Sequence, residues 1–227
     1  MIDIKWFNCD FYPSKRTGRA VRYEDGVLPR MKEVHTKLFT PWGPRYDWET
    51  RGVEIFEEHR EVQTLAYLAK LFTELKAQMP EKTWQWIFLA ADTYGTRVNK
   101  LSTQVVQEYF SSLKKWLREY LPDSEFELWS ELETEALPLR AQAAEYVRTK
   151  LPYSIHERAA QTAQKMGRGS NPNVYLEERV TEALFIEQYY SPIKISCAPR
   201  HKDDAVDVDL PRLYLLPEAL QVPWLKP

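Results

Sequence analysis

Thr83-Trp84-Gln85-Trp86-Ile87-Phe88-Leu89-Ala90-Ala91-Asp92 is the stretch that decides the fold class. Its centre is continuously apolar rather than alternating, the pattern of a strand covered on both faces. On its amino-terminal side, Val62, Leu65, Ala69, Phe72, Leu75 and Met79 recur every three or four residues. This spacing predicts a helix over 54–79 that Pro80 stops. On the other side, Ser102 is placed to cap a second helix with the stripe Val105 or Val106, Tyr109, Leu113, Trp116 or Leu117, and Tyr120. Pro122 ends it.

Farther out, 126–129 reads as a second strand, and 133–148 and 154–166 as helices parted by Pro152. The stretch 165–172 reads as a loop, and 175–190 as a helix with Leu176, Val180, Ala183 or Leu184, and Glu187 along one line. Residues 193–197 alternate as a strand does, and 206–216 has room for one or two more. Strands alternating with helices predict an α/β three-layer sandwich with a mostly parallel sheet, as one domain over 1–227. Residues 1–51 are dense in aromatics, proline and arginine. They are expected to be irregular after a short strand over 2–7, with loops around Pro13, Pro29, Pro41 and Pro44, and form a candidate lid.

Composition narrows the function classes. The 31 basic and 33 acidic residues nearly cancel, so no global field draws the chain to nucleic acid, and none is expected as a partner. Two cysteines, Cys9 and Cys197, make no disulfide framework. His35, His59, His156 and His201 lack metal-ligand spacing, so no metal and no cofactor is expected. The opening residues lack a signal-peptide layout and no run is apolar enough for a membrane span, which gives a cytoplasmic protein as the expectation. Gly-x-Ser-x-Gly is absent, and with it the serine-hydrolase elbow.

Three segments carry candidate chemistry. Asp92 follows the buried strand, and in open α/β sheets ligands bind beyond the carboxyl ends of strands. A carboxylate there takes an amine or hydroxyl, or acts as a base; the competing reading is a loop cap or a salt bridge to Arg97. In Lys194-Ile195-Ser196-Cys197-Ala198-Pro199-Arg200-His201-Lys202-Asp203-Asp204, strand alternation sends Lys194 and Ser196 to one face. Arg200, His201 and Lys202 crowd the end, which suits a phosphate or carboxylate; the competing reading is a solvated turn neutralised by Asp203 and Asp204. Thr40-Pro41-Trp42-Gly43-Pro44-Arg45-Tyr46 reads as a stiff loop in which Trp42 stacks on a ligand and Arg45 grips an anion, against ordinary loop packing. Cys197 reads better as a packing thiol than as a nucleophile. The basic run Lys15, Arg16, Arg19, Arg22 reads as a solvated face, with an RNA or acidic-partner contact as the alternative. Lys165-Met166-Gly167-Arg168-Gly169-Ser170 is similar to the mobile lysine loop of class I aminoacyl-tRNA synthetases, without the matching His-x-Gly-His.

A series of short matches spans about 39–224. Phe39-Thr40-Pro41-Trp42-Gly43-Pro44-Arg45 matches an early Phe-Pro-x-Lys-like loop, and Ala91-Asp92-Thr93-Tyr94-Gly95 followed by Val106-Gln107-Glu108-Tyr109 matches a strand ending in Ser-Asp-Gly before a Val-x-x-Tyr helix. Ile193-Lys194-Ile195-Ser196-Cys197-Ala198-Pro199 matches Ile-Arg-Leu-Ser-Ile-His-Pro, and Pro223-Trp224 a closing Pro-Trp-His. On these residues the chain resembles the isonitrile (isocyanide) synthases, the family that includes the dityrosine-biosynthesis enzymes of fungal spore walls. The family's early lysine, the histidine at Ala198 and that at Leu225 are not present. The resemblance implies a Rossmann-like domain and conversion of an amino acid's amino group to an isonitrile with ribulose 5-phosphate as carbon donor.

The leading expectation is therefore an isonitrile-synthase-like enzyme of secondary metabolism that takes an amino acid or amine and a phosphorylated or carboxylated co-substrate. Asp92, Lys194 and His201 are its candidate catalytic groups. Arg45, Arg97, Ser196, Arg200 and Lys202 are expected to bind substrate, with Trp42, Tyr94 and Trp224 as aromatic walls. Two alternatives stand beside it: a non-catalytic module binding a phosphorylated small molecule, and a class I synthetase-like enzyme that activates an amino acid.

Overall fold

Trp86, Ile87, Phe88, Leu89 and Ala90 are all essentially buried, because the strand they form is covered on both sides. The structure is a computed structural model that describes residues 21–23, 27–44, 46–47, 52–53, 60–98, 100–165, 171–196 and 210–215 of the 227-residue chain. In chain order its elements are β1 (Val21–Tyr23), α1 (Val27–Arg30), β2 (His35–Trp42), β3 (Tyr46–Asp47), β4 (Gly52–Val53), α2 (Arg60–Gln78) and β5 (Thr83–Ala90). A π-turn (Tyr94–Val98), α3 (Thr103–Tyr120), β6 (Ser124–Leu128), α4 (Trp129–Ala136) and a short 3-10 turn (Leu137–Leu139) follow. Then come α5 (Arg140–Thr149), α6 (Tyr153–Lys165), α7 (Pro172–Tyr190), β7 (Ile193–Ser196) and β8 (Arg212–Leu215).

The main sheet has the order β1-β8-β7-β2-β5-β6; β1 runs antiparallel to β8 and every other pairing is parallel. The chain steps outward from β2 to β5 to β6, then returns through α4 to α7 and enters β7 on the other side of β2. This is the doubly wound, Rossmann-like arrangement, and it puts the topological switch point at the carboxyl ends of β2 and β7.

The period-2 alternation of the strands sorts side chains onto two faces. Leu38, Trp42, Trp86, Phe88, Ile193 and Ile195 pack on one face with Leu65, Leu68, Phe72 and Leu75 of α2 and Val106, Tyr109, Phe110 and Leu113 of α3. Phe39, Ile87 and Leu89 pack on the other with Trp129 of α4 and Ala183, Phe185 and Ile186 of α7. Beyond α7, residues of α5, α6 and α7 close a third small cluster around Val147, Ile155 and Leu176. Because α7 lies between the sheet and these helices, it buries Leu176, Val180, Ala183, Phe185 and Ile186, and the two polar residues Thr181 and Glu182 are buried with them.

Several expectations hold closely. Ser102 caps α3, its Oγ accepting from Val105 N at 3.3 Å, and β5, α3 and β7 lie where their patterns placed them. Others are corrected. Residues 35–42 are not loop but β2, which pairs with β5 along its whole length. Pro41 disguised it, since proline rarely occurs in central strands. The Trp42 carbonyl accepts from Ala91 N on the β5 side, so Pro41, one residue earlier, turns its amide position towards β7, where the pairing ends at Phe39. The missing N–H therefore breaks no ladder bond. The helix expected over 133–148 is divided at Pro138, and Trp129, read as strand, opens α4. Pro172 starts α7 rather than closing a loop: Asn171 caps the helix and proline suits its first turn. The strand expected over 2–7 lies outside the described residues.

Candidate functional site

Beyond β5 the backbone continues straight for one residue, Ala91, and then coils into the π-turn. Gly95 makes this possible: a Cβ there would meet a Val106 methyl at 2.8 Å, so only glycine lets the turn lie against α3. Such π-turns occur often at functional sites. This one sends Tyr94 inward on the α7 side of the sheet and leaves Arg97 half-exposed at the rim.

Tyr94 is buried with its hydroxyl facing Glu182, although no hydrogen bond of good geometry forms between them. Tyr175 meets its ring edge-on at 6.2 Å, and the Arg179 guanidinium stands 5.8 Å from the ring centroid. Burial, then the charge of Glu182, holds the phenol proton well above the ordinary tyrosine range. Glu182 is itself buried: one carboxylate oxygen lies 3.7 Å from Arg179, and the other, Oε2, has no hydrogen bond of acceptable geometry. One turn earlier, Glu178 places Oε1 3.5 Å from Arg97, and its Oε2 is also buried without a hydrogen bond. Burial raises the Glu178 carboxyl above the usual range, and Arg97 opposes the rise. Arg97 donates to Glu133 of α4 at 2.6 Å, and Glu133 also receives Arg140 of α5 at 2.5 Å. The buried hydroxyl of Thr93 is likewise without a hydrogen bond.

Unsatisfied buried polar groups are rare in folded proteins and call for an explanation. Here Tyr94, Glu178 and Glu182 come together where β5 ends against the middle of α7, the end of a parallel sheet where ligands bind. Two carboxylates and a neutral phenol can hold an ammonium group, accept its proton and donate to a carbonyl oxygen. Among the described residues no group of three or more His, Cys, Asp or Glu could hold a metal ion, and no helix is long and apolar enough to cross a membrane.

The residues singled out in the sequence fare differently. Tyr94 and Arg97 are in this site. Asp92 sits at the strand tip as expected, but its Oδ1 accepts from Ser130 N at 3.0 Å and so caps the start of α4. Arg97 pairs with Glu133 and Glu178, and no ion pair between Arg97 and Asp92 is formed. Lys194 is buried on β7, on the α7 face of the sheet. Ser196 ends β7 as expected; nothing beyond its backbone is described. Trp42 is on the opposite face, packed in the core with its indole donating to Tyr109 at 3.0 Å, and does not form a wall beside Tyr94. Arg45, Arg200, His201, Lys202 and Trp224 lie outside the described residues. Glu178, Arg179 and Glu182 were missed. Their spacing reads as the polar side of an ordinary helix, so no signal in the sequence marked them.

No protein-family model matches the chain, and no curated protein is similar to it in sequence. Solved structures share its fold. A CDPS from Staphylococcus haemolyticus aligns with a TM-score of 0.56 at 8% identity, over 86% of this chain and 96% of that one. A cyclodipeptide synthase from Candidatus Glomeribacter gigasporarum bound to Phe-tRNAPhe aligns with a TM-score of 0.51 at 13% identity, over 86% and 93%. A tyrosyl-tRNA synthetase from Archaeoglobus fulgidus complexed with L-tyrosine aligns with a TM-score of 0.56 at 13% identity, over 87% of this chain but 61% of its own. The neighbours are cyclodipeptide synthases and tyrosyl-tRNA synthetases, not isonitrile synthases, which overturns that resemblance and leaves the sugar-phosphate co-substrate unsupported. Its early-loop match, 39–45, falls largely on β2 and its strand-tip acid is a helix cap. The expectation against nucleic acid rested on net charge alone and has no further support.

Proposed function

We propose that the chain uses aminoacyl-tRNA to form an amide bond, with the aminoacyl group seated between the π-turn and α7. The observation that carries this reading is Glu182: a buried carboxylate with one oxygen lacking a hydrogen bond of good geometry, facing a buried, protonated Tyr94 near the end of a parallel sheet. A carboxylate in that position is complementary to an α-ammonium group. An aminoacyl ester is already activated, so an attacking amine forms the new C–N bond, the C–O bond to the tRNA ribose breaks, and no ATP is consumed. Two further facts support it. The chain aligns with nearly the full length of the cyclodipeptide synthases but with only part of the tyrosyl-tRNA synthetases. The His-x-Gly-His of ATP-using class I synthetases is absent from the sequence.

The test is to incubate the purified chain with a pool of aminoacylated tRNAs, without ATP, and search for dipeptide products by mass spectrometry. Product that requires charged tRNA is expected. ATP–pyrophosphate exchange driven by a free amino acid would instead support the second reading, an amino-acid-activating enzyme, which the tyrosyl-tRNA synthetase likeness favours.

A further inference from the structure

The rim of the α7 site carries one aromatic ring and two guanidiniums that stand outside its buried acids. Tyr175, near the start of α7, meets the buried Tyr94 edge-on at 6.2 Å and is itself 37% exposed, so its ring borders both the site and solvent. Val174 beside it is exposed, and Tyr153 at the start of α6 is 79% exposed. His156, one turn after Tyr153, lies 3.3 Å from Asn173, so these exposed side chains share one corner of α6 and α7. On the other side of Glu178, the half-exposed Arg97 and Arg140 both donate to the same oxygen of Glu133, at 2.6 and 2.5 Å. Arg140 uses Nη2 for this bond, and among the described residues no other acceptor meets its fork. Two guanidiniums against one carboxylate leave that corner cationic, with Glu178, 3.5 Å from Arg97, as the further acid there.

We infer that this rim is a subsite for the 3′-terminal nucleotide of tRNA: Tyr175 stacks on the base, and Arg140, with Arg97 beside it, holds the phosphate that joins it to the preceding nucleotide. This rests on the aminoacyl reading above, since an aminoacyl ester seated against Tyr94 leaves its own ribose at the rim. Tyr175 and Glu178 are three residues apart on one side of α7, about 5–6 Å at Cβ, and Arg97 reaches Glu178 from the π-turn. The ring and the guanidiniums therefore flank Glu178 from two sides, with room between them for the ribose. Unpaired RNA bases are recognised by stacking on aromatic rings, and phosphate by the fork of arginine. A single-stranded terminus is the part of a tRNA that brings a free base face to such a ring. Val174 and Tyr153 extend the exposed surface outward from Tyr175. Two local cations suffice for one phosphate, whatever the net charge of the chain.

The test measures the binding of uncharged tRNA, complete or transcribed without its last nucleotide, to the full chain and to four variants. The wild type should prefer the complete tRNA by about tenfold or more, the effect of one stacked base. Tyr175→Leu, which keeps bulk against Tyr94 but offers no ring face, should lose that preference. Tyr175→Phe, which keeps the ring, should retain it, as should Tyr189→Ala, which removes an exposed tyrosine at the far end of α7. Arg140→Ala should lower the slope of log K against log salt by about 1 for the complete tRNA and leave it unchanged for the shortened one. The shortened tRNA also shows whether each variant still folds. A preference that survives Tyr175→Leu overturns the stacking assignment, and equal losses by Arg140→Ala on both tRNAs overturn the phosphate contact. Product formation from aminoacyl-tRNA is measured alongside. Product without a preference for the terminal nucleotide leaves the aminoacyl reading standing and ends the subsite; a preference without product does the reverse.

Discussion

On one face of the central sheet, Trp42 donates to Tyr109 at 3.0 Å, Trp86 donates to Thr40 at 2.9 Å, and Trp86 stacks on Phe88 with centroids 5.3 Å apart. On the other face, beyond the end of β5, Tyr94 and Glu182 are buried and Glu178 is half-buried, and a hydroxyl and two carboxylate oxygens there lack a hydrogen bond of good geometry. Both faces are closed by helices and both bury aromatic rings. They differ in which polar atoms are left without a hydrogen bond: the indole nitrogens of Trp84 and Trp116 on the first face, a phenol hydroxyl and carboxylate oxygens on the second. A buried indole whose N–H is bonded adds to stability, whereas a buried carboxylate without its full complement of partners lowers it. The two unsatisfied indoles under α2 and α3 are neutral, whereas the groups under α7 include carboxylates, and the proposed chemistry lies on that side.

The comparison breaks most visibly at Trp86. Trp86→Ala should cost about 3–5 kcal/mol in urea unfolding, since it removes a fully buried ring and strands the Thr40 hydroxyl. A cost under about 1 kcal/mol would mean that the α2–α3 face is not the main core. Next is Arg30, which ties the entry of β2 to the far end of α7 by a 2.5 Å pair with Glu187 and a bond to the Pro192 carbonyl. Arg30→Ala should destabilise by about 1–3 kcal/mol and leave the pH–rate profile unchanged, separating the structural end of α7 from its chemical end. At that end Ser191 takes a left-handed conformation, φ 47°, where glycine is preferred. Ser191→Gly should add about 0.5–1 kcal/mol, measured by thermal unfolding. The smallest effect is also the most specific. Because the folded-state Glu178 carboxyl is raised, it costs stability as pH rises from the unfolded glutamate value, about 4.3, through the folded one. Glu178→Gln should therefore raise Tm slightly at neutral pH, with the gain fading below about pH 4. A loss of Tm at every pH would place Glu178 among the stabilising groups instead.

What could be read from the sequence followed the same division. β5 and α3 were legible because each is dominated by one physical demand, burial on two faces or along one stripe. β2 was not, because Pro41 reads as a loop residue unless it is known which neighbour its nitrogen faces. Asp92 was placed correctly at a strand tip, but a carboxylate there serves a ligand or a helix start equally well, and the arrival of Ser130 from a distant element decided for the helix. Glu178 and Glu182 looked like the solvated side of an ordinary helix. Their enclosure comes from Tyr94 and Arg97 of the π-turn and from Glu133 and Arg140 of α4 and α5, and that is a fact of tertiary structure rather than of spacing.

The central claim is that the α7 face holds the amine end of an aminoacyl group. The most direct measurement compares the binding of uncharged tRNA with tRNA carrying an amide-linked, non-hydrolysable aminoacyl group, using the wild-type chain and Glu182→Gln. The charged tRNA should bind the wild type at least tenfold more tightly, about 1.4 kcal/mol, and Glu182→Gln should lose that preference while binding uncharged tRNA as before. Equal binding of charged and uncharged tRNA by the wild type, or a preference that Glu182→Gln leaves intact, would contradict the account.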